Sequence, residues 1–201
     1  YNNEERLFNS VPEGVSHSVS VRQSLTRNSL DNPMFPRSGS NVNLSVEVAP
    51  PVGALVQYHK WRFTTNWNVP FGEKLSFGVG TNFGYIGSLS GDPVEFERFE
   101  VGGTPFDYSG FRFGTEPIFM RGYPQQVIGP RERVGGTLTP VGGRILNKYT
   151  SEVRWMAVES QQLRAQPYAF LDAANAWSGF DTYNPSQLFR SGGVGVKLFL
   201  P

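Results

Sequence analysis

The sequence has no cysteine. That excludes a disulfide framework, a thiolate metal site and a cysteine nucleophile. It has no run of about 18 apolar residues, so no transmembrane helix can be drawn through it. It has no excess charge of either sign. Its 18 Lys and Arg against 17 Asp and Glu leave a formal net charge of +1, which implies neither a nucleic-acid partner nor an acidic one. Histidine is scarce. His17 and His59 are isolated and read as surface or strand-end residues rather than metal ligands. Ser109 and Ser191 have no His and Asp around them in hydrolase order, so no catalytic residue, metal ligand or cofactor is expected. The opening YNNEERLFNS carries neither a basic start nor an apolar stretch, so no signal peptide is read in it. Hydrophobic residues reach only 38%, little for a soluble core in 201 residues.

Glycine (23) and aromatic residues (16 Phe, 8 Tyr, 4 Trp) are plentiful. That balance fits an antiparallel β protein with many turns, and equally a membrane β-barrel with a polar lumen. Period-two alternation then dominates the chain. Val42, Leu44, Val46 and Val48 share one face, and Asn41, Asn43, Ser45 and Glu47 the other. Val19, Val21 and Leu25 alternate with Ser20, Arg22, Ser24 and Thr26. Trp61, Phe63, Trp67 and Val69 oppose Lys60, Arg62, Thr64, Asn66 and Asn68. Leu75, Phe77, Val79, Phe83 and Tyr85 oppose Ser76, Gly78, Gly80, Asn82 and Gly84. Such alternation sets one face in an apolar medium and one in a polar medium. A soluble sandwich does this with a shared core. The charges on the polar faces (Arg22, Glu47, Lys60, Arg62, Lys74, Glu152, Arg154) favour a wet lumen instead. Trp61, Trp67, Tyr85 and Trp155 lie near the ends of apolar faces, where interfacial girdles form.

Three further strands are expected over residues 147–159, 164–177 and 193–200. That makes about seven strands near the ~9–11 residues needed to cross a bilayer. Connections alternate in character. NSLDNPMFPRSGS, VPFGEK and ESQQLRAQP are compact, with Pro and Gly turn chemistry, and are assigned to one end. APPVGALVQY, residues 87–144 and SGFDTYNPSQLFRSGG are assigned to the other. The second of these is too long for an ordinary loop in a compact domain and reads as functional or plug-like. Within it, IFMRGYPQQVIGP holds a single arginine, Arg121. Seven is an odd count for a closed bacterial barrel, so the expectation is a fragment of a larger one, with unpaired edges.

The order of these motifs resembles the C-terminal part of the barrel in the BamA superfamily of outer-membrane assembly and secretion factors. LDNPMFPRSGSNVNLSVEV resembles that family's periplasmic turn, with Phe-Pro-x-x-Gly leading into a strand. FERFEVGG resembles the entry to its sixth extracellular loop, and Met120-Arg121-Gly122-Tyr123, followed by IGP, resembles the tip of that loop. SEVRW resembles the acidic strand after the loop, and FLDAANAW the aromatic-and-Asp pattern one strand later. Met120 stands where valine or isoleucine is usual, Ala174 where glycine is usual, and TPFDYSGFRFGTEPIF lengthens the approach to the tip.

The resemblance implies a fold and a set of site residues. The fold is all-β: an antiparallel transmembrane β-barrel, seen as a partial barrel domain over 1–201, with loop six at roughly 87–144 folding inward. The POTRA domains and the remaining strands are absent from this stretch. It implies that Arg121 pairs with the wall carboxylates Glu152 and Asp172. It implies a bacterial outer-membrane location, with lipids, unfolded barrel substrates and, through the POTRA domains, assembly lipoproteins as partners. The implied activity is non-enzymatic insertion of other barrels. A two-partner-type secretion transporter and a passive porin-like channel are the alternatives.

Overall fold

A computed structural model describes residues 19–50, 57–89, 97–104, 116–134, 136–160 and 162–200. His17, Ser109, Phe96 of FERFEVGG and most of the lengthened approach to the loop tip lie outside these residues.

The described chain contains strands and no helix. In order they are β1 (Val21–Asn28), β2 (Gly39–Ala49), β3 (Tyr58–Phe71), β4 (Leu75–Ser88), β5 (Phe99–Val101), β6 (Glu116–Ile118), β7 (Arg131–Val134), β8 (Thr137–Pro140), β9 (Ile145–Trp155), β10 (Val158–Glu159), β11 (Arg164–Trp177) and β12 (Phe189–Phe199). Seven long strands pair antiparallel in the order β1-β2-β3-β4-β9-β11-β12 and curl into half a barrel. The seven expected strands are these seven, with shifted ends. β4 runs to Ser88, past the expected loop start, and β12 begins at Phe189 rather than 193. The expected strand over 147–159 is broken. Between β9 and β10 the register against β11 slips by one residue at Met156–Ala157, a β-bulge.

The expected alternation decides the two faces. On the outer face, Leu25, Trp61, Trp67, Val79, Val153 and Leu171 are exposed. On the other, Glu47, Lys60, Asn68, Glu152, Arg154 and Asp172 are buried. At one end of the sheet the β1–β2 turn reaches Arg154, and at the other the chain between β4 and β9 folds back over that inner face. Phe99, Val101, Ile118, Met120 and Ile128 of this segment form an apolar cluster with Ala49, Tyr58, Ile86, Leu146, Ala174 and Ala176 of the wall. Fully burying a large apolar side chain is worth about 1.5–3 kcal/mol, so this cluster is a substantial anchor. Gly84 makes room for it: a Cβ there would come within 2.4 Å of the Phe99 ring.

The opposite end carries the turns. Between β1 and β2 the chain is tied by its own side chains. Asp31 Oδ1 accepts from the backbone N–H groups of Arg37 (3.0 Å) and Ser38 (3.1 Å), and Asn32 Oδ1 from those of Met34 and Phe35 (both 2.9 Å). Gly39 closes the turn at φ +91°, where a Cβ would meet the Ser29 carbonyl oxygen at 2.1 Å. So held, the turn buries Phe35.

Candidate functional site

The site is built on a register row of the inner face. Gly39, Asn68, Gly78, Glu152, Phe170 and Gly193 stand side by side on β2, β3, β4, β9, β11 and β12. Three of the six are glycines, and large side chains from neighbouring strands lean over Gly78 and Gly193. The Arg154 guanidinium lies over Gly78, where a Cβ would sit 2.7 Å from Nη2. The Phe170 ring lies over Gly193, at 2.9 Å from an added Cβ. One row nearer the turns, Tyr168 covers Gly195 in the same way, at 2.6 Å.

Arg121 enters from the loop end and lies on this floor. Its Nε and Nη2 donate to Asp172 Oδ2 and Oδ1, both at 2.7 Å, in a two-pronged pair. Its Nη1 donates to Glu152 Oε1 at 2.6 Å. The flat face of the guanidinium stacks 3.7 Å from the centroid of Phe170. A lysine has no planar fork and could reproduce neither the double bond nor the stacking. Burial alone would lower the Arg121 pKa, but the bonds to Asp172 and Glu152 outweigh it and raise the pKa above its ordinary value. The group is a fixed cation.

The residues around Arg121 hold its backbone in place. Gly122 takes φ +83°, which a side chain adopts only with strain, and packs on Ser191. The Tyr123 hydroxyl donates to the Arg190 carbonyl at 2.9 Å, and its ring meets Phe189 edge-on at 5.9 Å. Met120 is fully buried, and its N–H donates to the Gly103 carbonyl at 3.1 Å. The Gly103 N–H in turn donates to the Tyr123 carbonyl at 2.9 Å.

The two carboxylates differ in surroundings. Among the described residues, both hydrogen bonds reaching Asp172 come from Arg121. Glu152 has further cations. Arg154 Nε donates to its Oε2 at 2.7 Å, and Lys197 Nζ lies 3.5 Å from the same oxygen. From the sequence, Arg154 and Asn68 are placed only as polar-face residues, and Lys197 is not singled out. Alternation places their side chains on the inner face but says nothing of which residues meet across strands. Phe35 gave only its place in a turn motif.

The structure thus brings Arg121 against Glu152 and Asp172, with Met120 in the apolar cluster, Gly122 on Ser191 and Tyr123 on Phe189 and Arg190. The four outer aromatic residues stand apart from this site. Trp61 and Tyr85 pair near the loop end, and Tyr85 is half-buried beneath Phe180. Trp67 and Trp155 are exposed nearer the turns, Trp155 opposite Leu75. From Tyr85 to Leu75 along β4 is about 34 Å at strand rise, or about 26 Å of height at a usual barrel tilt.

Comparison with known proteins bears on what such a wall belongs to. The Omp85 superfamily domain matches residues 2–201. No curated protein matches the sequence. Among solved structures, the fold is similar to that of BamA from Haemophilus ducreyi lacking POTRA domains 1–3, with a TM-score of 0.72 at 17% identity. The match covers 97% of this chain and 41% of that one.

Proposed function

Because the chain belongs to the Omp85 superfamily, we propose that it acts in the bacterial outer membrane as barrel wall of a non-enzymatic assembly insertase, which folds and inserts other barrel proteins. The observation that carries this reading is the inner brace. The segment between β4 and β9 is fixed to the wall twice, by an apolar cluster and by Arg121 between β9 and β11. A passive pore needs an open, watery interior. An insertase needs one stiff region of wall, so that opening is confined to a seam elsewhere where a substrate strand can pair. The brace supplies stiffness of that kind. The height of about 26 Å from Tyr85 to the Leu75–Trp155 pair suits an apolar band of ~25 Å, and outer-membrane lipid is the proposed partner of the outer face. Unfolded barrel chains are the proposed substrates, and assembly lipoproteins, reached through POTRA domains, the proposed accessory partners.

Depleting the full-length protein in its own host tests this. Broad loss of outer-membrane barrels is the expected result, together with faster folding of a heterologous barrel in liposomes that carry the protein. Loss of a single exported protein would assign a secretion transporter instead. Unchanged barrel content with impaired solute uptake would assign a porin.

A further inference from the structure

Arg154 sits between the two ends of the inner face. It is buried, and its guanidinium makes three contacts in three directions. Nε donates to Glu152 Oε2 at 2.7 Å, and Glu152 Oε1 holds Arg121 of the loop tip. Nη1 donates to Asn68 Oδ1 on β3 at 2.6 Å. The same nitrogen reaches the Pro36 carbonyl of the β1–β2 turn at 3.4 Å. Pro36 follows Phe35, the buried residue of that turn. A continuous path therefore runs from Pro36 through Arg154 and Glu152 to Arg121, from the β1–β2 turn to the loop tip.

The path has a physical consequence. Glu152 divides its oxygens, one facing Arg121 and one facing Arg154. Its orientation is a compromise between the two cations. If the turn moves and Arg154 follows Pro36, Glu152 is pulled away from Arg121. If Arg154 stays, Glu152 stays. We infer that Arg154 is a positioning residue that couples the β1–β2 turn to the loop-tip clamp, so that a displacement of the turn loosens Arg121. The coupling rests on geometry and is independent of what cargo the barrel handles.

Coupling is demonstrated when one site's perturbation is felt at the other only while the connecting residue is present. This chain has no cysteine, so once any cysteines elsewhere in the full-length protein are replaced, Met120→Cys supplies a fully buried reporter beside Arg121 that a thiol reagent reaches only when the tip opens. The full-length protein is labelled in membranes with and without Phe35→Ala, which loosens the turn. With Arg154 present, Phe35→Ala is expected to raise the labelling rate roughly two- to thirtyfold, the range such couplings span. In an Arg154→Met background the same change is expected to leave the rate unaltered. Arg154→Met removes a buried cation and can impair folding, so Gly78→Ala serves as a second background. It displaces the guanidinium by steric contact while keeping every charge. An equal effect of Phe35→Ala in all backgrounds, or no effect in any, overturns the assignment. So does an unchanged Phe35→Ala effect in Gly78→Ala when Arg154→Met does not fold.

Discussion

Arg121→Ala should do unequal damage to its two partners, and the inequality can be measured. Removing the guanidinium strands Asp172, whose side chain is 1% exposed and whose hydrogen bonds came from Arg121. Glu152, 8% exposed, keeps Arg154 at 2.7 Å and Lys197 at 3.5 Å. Breaking a buried pair costs about 3–5 kcal/mol; because the Arg121 side chain retains 28% exposure, the low end applies. A cost of about 3 kcal/mol multiplies the opening constant of the loop tip roughly 150-fold. Native-state exchange of the Met120 amide, which bonds Gly103, reads that opening directly. Double-mutant cycles then separate the partners. The coupling of Arg121→Ala with Asp172→Asn should be about 2 kcal/mol, and with Glu152→Gln about 1 kcal/mol, since Glu152 keeps two paired cations while Asp172 keeps only the longer-range attraction of Lys148. Equal couplings, the reverse order, or additivity within about 0.5 kcal/mol for the Asp172 pair would refute the reasoning.

Gly193→Ala should press on the Phe170 ring beneath Arg121 and cost about 1–3 kcal/mol, with partial recovery on adding Phe170→Leu; a neutral urea midpoint would show that the ring is not wedged. Spin labels at positions 43 and 44 should separate cleanly, position 44 accessible to oxygen in the bilayer and position 43 to an aqueous quencher, and equal access at both would remove the outer face from lipid. At Asp31, burial pushes the pKa up, but the N–H groups of Ser38, Arg37 and Asn32 outweigh it and lower the pKa. The turn's extra stability is therefore complete above the unfolded value of about 3.9 and is lost as pH falls through the lower folded value. Amide shifts of Arg37 and Ser38 should follow that titration and be pH-independent in Asp31→Asn.

What was legible in the sequence follows from what alternation encodes. Period two reports which face a side chain takes, and Trp61, Leu44, Glu152 and Asp172 lie on the faces assigned to them. Alternation does not report cross-strand register, so it could not place Arg154 over Gly78 or Phe170 over Gly193. Gly78 and Gly84, which alternation places on the inner face, carry Arg154 and Phe99 above them, but which residue fills the space is set by a segment distant in sequence. The Arg121 partners came from motif order rather than from residue pattern. The inner face was expected to be polar throughout. Near the loop end it is apolar instead, with Ile86, Leu146, Ala174 and Ala176, because the returning segment covers it. The faint signal was a break in alternation at Ile145-Leu146, where two apolar residues stand adjacent.

The pairing of β4 with β9 also sets an order of events for the nascent chain. Most neighbouring long strands are joined by short connections: 10 residues separate β1 from β2, while 56 separate β4 from β9. Closing the longer span is about 1.5 kcal/mol harder on chain entropy alone. The hairpins of β1–β4 and of β9–β12 can therefore zip independently, as two ribbons that meet along a single slow weld. The carboxylates that receive Arg121 both belong to the second ribbon, but the apolar shelf that carries the returning segment draws on both. A chain stalled before the weld would display Glu152 and Asp172 without their shelf, as a half-built socket that a proteolytic quality-control system could recognise by its exposed, unpaired β4 and β9 edges.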